Sequence, residues 1–436
     1  MKKVLLITYY WPPSGGVGVQ RWLKFIKYLP EFGWEPMVYT PENPDFSIRD
    51  EQLLQEVSPD LEVLKLPIWE PFSLFNQLTG NKNKDNIKQG VVLEKAKMGW
   101  KEKLSIWIRG NIFIPDPRVF WLRPSVRFLE DIIQSNGIQA VITTGPPHSM
   151  HLIGRALKRR TGVVWLADFR DPWSEWDLLD KLFVGKLARG IHQRLERSVL
   201  KEADAVSTVT KQLTEALQKL GGKRVDHLTN GVDIDGIQDS IQRVDSPEKF
   251  SICYFGLLNE MRNPPELWEA IEELLKENPE WKKDWSLLIG GIVSESILAR
   301  LQQSDTLRTV LDYRGYMAHS EVMQESAKSA IQLLLLNNTE NARWIIPVKL
   351  YEYLATGRPI LMLGPEASDA GDVLRNLDAG QVIARGQKET LKKYLSQCYQ
   401  NYLSGNLPAK SFDLTPYSRK HTTRQLAELL DNLIHE

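Results

Sequence analysis

Two stretches in the second half of the chain put positive charge where an anion could be held. In Tyr254-Phe255-Gly256-Leu257-Leu258-Asn259-Glu260-Met261-Arg262-Asn263-Pro264, an arginine follows an apolar run and stands just before a helix start. A guanidinium grips phosphate oxygens in pairs, so Arg262 suits a pyrophosphate clamp; a solvated surface arginine explains its position equally well. In Ile346-Pro347-Val348-Lys349-Leu350-Tyr351-Glu352, a lysine and a glutamate are three residues apart. On a helix they share a face, so the ammonium could meet phosphate while the carboxylate accepts from sugar or ribose hydroxyls. A simple ion pair between Lys349 and Glu352 accounts for the same spacing.

The first half offers glycines and titratable groups. Gly15-Gly16-Val17-Gly18 follows the first apolar run, and without side chains its backbone could approach a phosphate closely. As a dinucleotide fingerprint it fails, because the third glycine position counted from Gly16 holds Arg21. Thr143-Thr144-Gly145-Pro146-Pro147-His148-Ser149-Met150-His151 and Ala167-Asp168-Phe169-Arg170-Asp171-Pro172-Trp173 both fall at strand ends. There His148 suits a hydroxyl of an acceptor or sugar, and Asp171 or Asp168 could orient or deprotonate it. Capping of a helix by His148, and ion pairing of the aspartates with Arg170 or Arg118, are the plainer readings. His148 and His151 have no evident third metal ligand.

These segments need a frame that lines them up. Apolar runs at 4–8, 35–40, 140–144, 163–168 and 205–209 alternate with helical spacing at 20–29, 125–135 and 151–160. The alternation resumes with strands at 250–255, 286–289, 311–313, 330–336 and 359–363 and a helix at 265–277. Strands alternating with helices predict parallel sheets covered on both faces, here two doubly wound α/β units. The expected division is 1–235 and 236–415, the boundary lying near 233–248, with a last helix at 418–435 folding back on the first domain. Residues 41–121 read as less regular decoration, with an exposed loop at 80–88. In such sheets ligands bind beyond the carboxyl ends of the strands, where the quoted motifs fall.

Composition narrows the partners. The 436 residues are 42% hydrophobic and 25% charged, with zero formal net charge, which argues for large globular cores and against a nucleic-acid partner. Two cysteines, Cys253 and Cys398, make neither a disulfide framework nor a thiolate metal site and fit a reducing cytoplasm. The opening apolar run is strand-length and lacks a cleavage pattern, and no stretch reaches the roughly 20 apolar residues of a spanning helix. Trp100, Ile106, Trp107 and Ile108 lie among Lys95, Lys97, Lys101, Lys103 and Arg109, and 181–201 reads as a basic amphipathic helix. Both suit peripheral contact with an anionic inner membrane face, or simply cover the first domain's core.

Taken in order, five motifs resemble the family 4 retaining glycosyltransferases with the GT-B fold. They are Tyr9-Tyr10-Trp11-Pro12-Pro13 through Gly18; Thr229-Asn230-Gly231-Val232-Asp233; Gly256 with Arg262; Gly315-Tyr316; and Glu352-Tyr353-Leu354-Ala355-Thr356-Gly357-Arg358-Pro359. The resemblance implies two Rossmann-like domains facing a cleft, the second for a nucleotide-diphosphate sugar and the first for a glycan or lipid-linked acceptor. It implies no catalytic metal and no cofactor beyond the co-substrate. Arg262 and Lys349 would hold the diphosphate, Glu352 the ribose, and Gly15 and Gly16 would border the phosphate and sugar. His148 and Asp171 would serve catalysis, with Asp168 and Arg170 on the acceptor side.

Two departures stand out. The family commonly shows two glutamates with seven residues between them; counting back from Glu352, the first is matched by Trp344, leaving Glu340 as the nearby substitute carboxylate. The basic residue often found after the glycine equivalent to Gly256 is Leu257, a charge that Lys349 would restore. The expected activity is metal-independent transfer of a sugar with retention, in surface polysaccharide synthesis. An epimerase or hydrolase on the same fold, or an inactive nucleotide-sugar-binding partner, are the alternatives.

Overall fold

The computed structural model describes all residues except 47–48, 72–98, 176–178, 181, 235–246, 408 and 436. Two compact units emerge, Met1–Asn230 with Arg419–Glu436, and Gly231–Ser418.

The first unit is built on seven parallel strands: β1 (Lys2–Ile7), β2 (Trp34–Pro41), β3 (Glu62–Leu66), β4 (Ala140–Gly145), β5 (Val164–Phe169), β6 (Ala205–Thr208) and β7 (Val225–His227). Their spatial order is β3-β2-β1-β4-β5-β6-β7. β4 is buried at every position, as a strand covered by helices on both faces must be. The helices are α1 (Val17–Tyr28), α2 (Trp100–Asn111), α3 (Leu122–Ser135), α4 (Ser149–Thr161), α5 (Lys186–Glu202) and α6 (Lys211–Lys219). The decorating region expected at 41–121 is corrected in part: Glu62–Leu66 is an edge strand, registered Met37 to Glu62 on β2. Its pattern of half-buried and exposed positions hid it from a search for apolar runs. The basic helix is described from Lys186, and Lys181, its expected start, lies outside the described residues. The loop read at 80–88, Lys95, Lys97 and most of the boundary stretch 233–248 lie outside the described residues.

The second unit repeats the plan with β8 (Phe250–Phe255), β9 (Trp285–Gly290), β10 (Leu311–Gly315), β11 (Ile331–Leu335), β12 (Ile360–Leu363) and β13 (Gly380–Ile383), ordered β10-β9-β8-β11-β12-β13 and parallel throughout. Around them lie α7 (Pro265–Glu277), α8 (Glu295–Gln303), α9 (His319–Lys328), α10 (Val348–Thr356), α11 (Asp369–Leu377) and α12 (Lys388–Leu403). Proline at its first position starts α7, where no backbone N–H is missed. Gly357, at φ 75°, ends α10 in the left-handed region that glycine enters without strain. Fully buried Arg358 then donates to the carbonyl of Ala327, so this part of the motif is structural.

A final helix, α13 (Arg419–His435), belongs to the first unit. Leu426 and Leu430 join the core around Trp22 and Phe25, and Asp431 accepts from the Trp34 indole at 2.8 Å and pairs with Lys2. Both cysteines are free and buried. Among the described residues no helix is long and apolar enough to cross a membrane.

Candidate active site

In each sheet the strand order reverses direction once, between β1 and β4 and between β8 and β11, and there the loops diverge to leave a crevice. Residues 15–18 follow β1 and residues 143–151 run out of β4 at the first point, and Gly256 with Arg262 follows β8 at the second.

In the second unit, β8 delivers the chain into Gly256, whose φ of 129° is open to glycine. A side chain there would strike the Lys349 ammonium, which comes from α10 and donates to the Phe255 carbonyl. The same ammonium lies 5.1 Å from the centre of the Tyr254 ring. Burial, and then the charge of Arg262, push the Lys349 pKa down to about 8, with Glu352 pulling the other way. Arg262, six residues after Gly256, is aimed by Asn337 just past β11, whose side-chain oxygen accepts from its Nε at 3.0 Å. Its NH1 donates to the Leu257 carbonyl at 3.3 Å.

A residue that spacing did not suggest holds this loop. Arg385, just past β13, donates to the carbonyls of Arg262 at 2.9 Å, Asn263 at 3.0 Å and Leu336 at 3.0 Å, and pairs with Glu266 at 3.7 Å. It binds the Arg262 loop to the end of β11 across 123 residues of sequence. Nothing in a linear reading marks a guanidinium whose partners are main-chain carbonyls.

Lys349 and Glu352 share a helix but bond elsewhere. The Glu352 carboxylate meets the imidazole of His319 at 3.1 Å, and that contact raises the His319 pKa. Glu340 is exposed, in a short 3₁₀ turn (Glu340–Trp344) that ends in buried Trp344.

In the first unit, Gly15 is half-buried and Gly16, at φ 106°, is exposed at the N-terminus of α1. No acidic residue occupies that first turn. The Arg170 guanidinium fills the space a side chain at Gly18 would need, and donates to the Gly145 and Pro146 carbonyls. Half-buried Asp171 follows it; burial raises its pKa, against the pull of Arg170.

Asp168 is corrected: it forms no ion pair with Arg118, and its ion-pair partner is the wholly buried Arg21, at 3.1 Å. Its carboxylate also accepts from Trp22 at 3.0 Å, Thr144 at 2.9 Å and Ser207 at 2.9 Å. Burial alone would raise its pKa, but Arg21, Arg170 and the hydroxyls outweigh that and hold it low. With no exposed surface, Asp168 locks α1 onto β5 and acts on a ligand only through that frame. Arg21, the residue that spoiled the dinucleotide fingerprint, is thus the partner that spacing failed to suggest.

His148 is 4% exposed and stacked on Trp173 at 4.7 Å, and burial holds its pKa well below the usual range, so it is neutral. It stands before α4 without capping it through its side chain. His151 stacks on Phe169 at 4.4 Å, shares a hydrogen bond of 3.0 Å with Thr143, and is driven by burial to about 3. Among the described residues no three His, Cys, Asp or Glu side chains gather as a metal ion would need.

The chain's relatives fit this frame. The family model of the glycosyl transferase 4-like domain matches residues 104–231. No curated protein sequence matches. Among solved structures, a glycosyltransferase from Rickettsia africae is similar over 99% of this chain and 98% of its own, at 12% identity and a TM-score of 0.60. Anabaena HepE bound to UDP-glucose is similar over 99% and 100%, at 13% identity and 0.59. A Listeria monocytogenes protein assigned as a UDP-N-acetylglucosamine 2-epimerase is similar over 100% and 97%, at 13% identity and 0.54. At such identities the likeness speaks to fold, and the fold is two Rossmann-like units of GT-B type. The chain thus carries a match to a glycosyl transferase 4-like domain over residues 104–231, on a fold of two Rossmann-like units of GT-B type.

Proposed function

We propose that the protein is a retaining glycosyltransferase that moves a sugar from a nucleotide-diphosphate sugar to a glycan or lipid-linked acceptor, in cell-surface polysaccharide synthesis. One observation carries this reading: the Lys349 ammonium folded onto Gly256, with Arg262 on the loop that follows. A departing diphosphate gathers negative charge, and fixed cations at its oxygens lower the barrier by a few kcal/mol each. Lys349 and Arg262 supply that charge with no cofactor and no catalytic metal.

Glu352, now bonded to His319, exchanges that partner for ribose hydroxyls. The turn of half-buried Gly15 and exposed Gly16 borders the phosphate and sugar. His148, neutral through burial, offers a hydrogen bond to a hydroxyl, and Asp171, its proton affinity raised, draws the acceptor's proton, with Arg170 orienting the acceptor. Glu340 stands in for the carboxylate missing at Trp344. Attack on the same face as the leaving diphosphate then gives retention.

The test is thermal stabilisation by a panel of nucleotide-sugars, UDP-sugars first because HepE binds UDP-glucose, followed by product analysis with and without an acceptor. Sugar transfer, with donor affinity lost in R262A and K349A, is the expected result. Epimerised sugar nucleotide in the absence of acceptor would favour the epimerase reading that the Listeria neighbour raises. Tight binding without any turnover would mark an inactive partner.

A further inference from the structure

Seven of the sixteen large exposed apolar side chains among the described residues lie in two segments of the first unit, around α2 and the start of α5. On α2, Trp100 is 71% exposed and Leu104 and Trp107 are 46% exposed each. Their spacing of four and three residues puts them on one helical face, turned to solvent where a covering helix would turn it inward. On α5 the most exposed apolar residue is Leu187, at 83%, and Ile191 follows one turn later.

These two helices meet. Asn111, at the end of α2, donates to the Phe183 carbonyl at 3.1 Å and accepts from the Gly185 amide at 2.8 Å, just before α5 begins. Ile112 and Phe183 are exposed at that junction, so the apolar surface runs from one helix to the other. Soluble surfaces rarely carry a contiguous apolar stretch of this kind unless it is a docking site.

Charge indicates what docks. Beyond Ile191 the same helix exposes Arg194, Arg197 and Lys201, which line a shallow groove and make no ion pair among the described residues. Lys103 and Lys186 stand exposed beside the apolar residues. The chain as a whole has zero formal net charge, so this clustering is local. Apolar side chains that can enter an acyl layer, flanked by cations that can reach phosphate headgroups, match the interface of an anionic bilayer. A polyanion alone would not use the leucine and tryptophans, and an apolar protein partner would not use the basic groove.

We propose that α2 and α5 form a membrane-docking face that seats the first unit on an anionic lipid surface. Trp100, Leu104, Trp107 and Leu187 enter the headgroup boundary while Arg194, Arg197 and Lys201 bind lipid phosphates. The face shares no side chain with the crevice residues, so this inference and the proposed activity fail separately.

The test is co-sedimentation of the full chain with phosphatidylcholine vesicles and with vesicles that also contain phosphatidylglycerol. Binding to the second alone, weakened by salt, is expected. W107E/L187E should lose most of it, and R194E/R197E should bind at least about tenfold more weakly, at several-fold per basic side chain. Unchanged melting temperatures and unchanged nucleotide-sugar binding in solution would show that both variants fold. No binding to phosphatidylglycerol vesicles, or equal binding by both variants, overturns the proposal. So would a concentration-dependent dimer that W107E/L187E dissolves in a chain that ignores vesicles, since a second copy would then cover the face.

Discussion

The two crevices use one device to different ends. Each has a glycine just after its first strand, Gly18 in the first turn of α1 and Gly256 directly beyond β8, whose missing side chain makes room for a cation from another element: Arg170 at Gly18, Lys349 at Gly256. In the first unit the positive charge is answered within the protein, Arg21 by the sealed carboxylate of Asp168 and Arg170 by the neighbouring fields of Asp171 and Asp168. In the second, Lys349 bonds a carbonyl and faces a ring, with the field of Glu352 set against that of Arg262, and Arg262 bonds an amide oxygen, a carbonyl and the Tyr254 hydroxyl but forms no ion pair among the described residues. Carbonyls orient a cation without neutralising it. The first crevice is therefore held rigid by paired charge, and the second keeps charge in hand for an anionic ligand.

The contrast is broken most forcefully at Asp168. Asp168→Ala leaves Arg21 charged and buried without its carboxylate, and should cost about 3–5 kcal/mol of folding stability in a denaturant titration. Next, Arg262→Ala and Lys349→Ala should leave the melting temperature nearly unchanged while each weakens donor binding by about 1.5–3 kcal/mol, the worth of a charge-assisted hydrogen bond, measured by calorimetry. If either unfolds the chain, the second crevice is as structural as the first.

Arg385→Ala sharpens the comparison, because it removes the brace and leaves the clamp. Donor affinity should fall by about 1 kcal/mol, less than for Arg262→Ala, since the lost bonds hold the loop and not the ligand. The smallest effect is on pH. Lys349 is cationic below about 8 and neutral above it. A diphosphate favours the charged form, so donor affinity should drop about two- to threefold as the pH rises from about 7 to just past about 8, and K349A should lack that drop.

Periodicity marked most of this scaffold. The strand Phe250–Phe255 and the helix Pro265–Glu277 have the bounds their apolar patterns predict, because buried parallel strands are continuous apolar runs and a proline can open a helix. Glu62–Leu66 escaped because an edge strand half open to solvent carries no such run. Lys349 and Arg262 were legible as cations beside strand ends. That Glu352 bonds to His319, and that His148 is stacked and nearly sealed from solvent, were not, since each depends on a side chain from another segment.

By itself, the sequence determined the alternation of strands and helices, the two doubly wound sheets, and the glycines and cations at the carboxyl ends of their strands. These are local properties, written in the spacing of apolar residues and in the turns that only glycine and proline make easy. Only the tertiary structure decided which charges are answered and which stay available. Arg21 and Asp168 are 147 residues apart, and Arg385 and Arg262 are 123 apart. Pairing across such distances follows from how sheets and helices close on one another, and no local pattern encodes it.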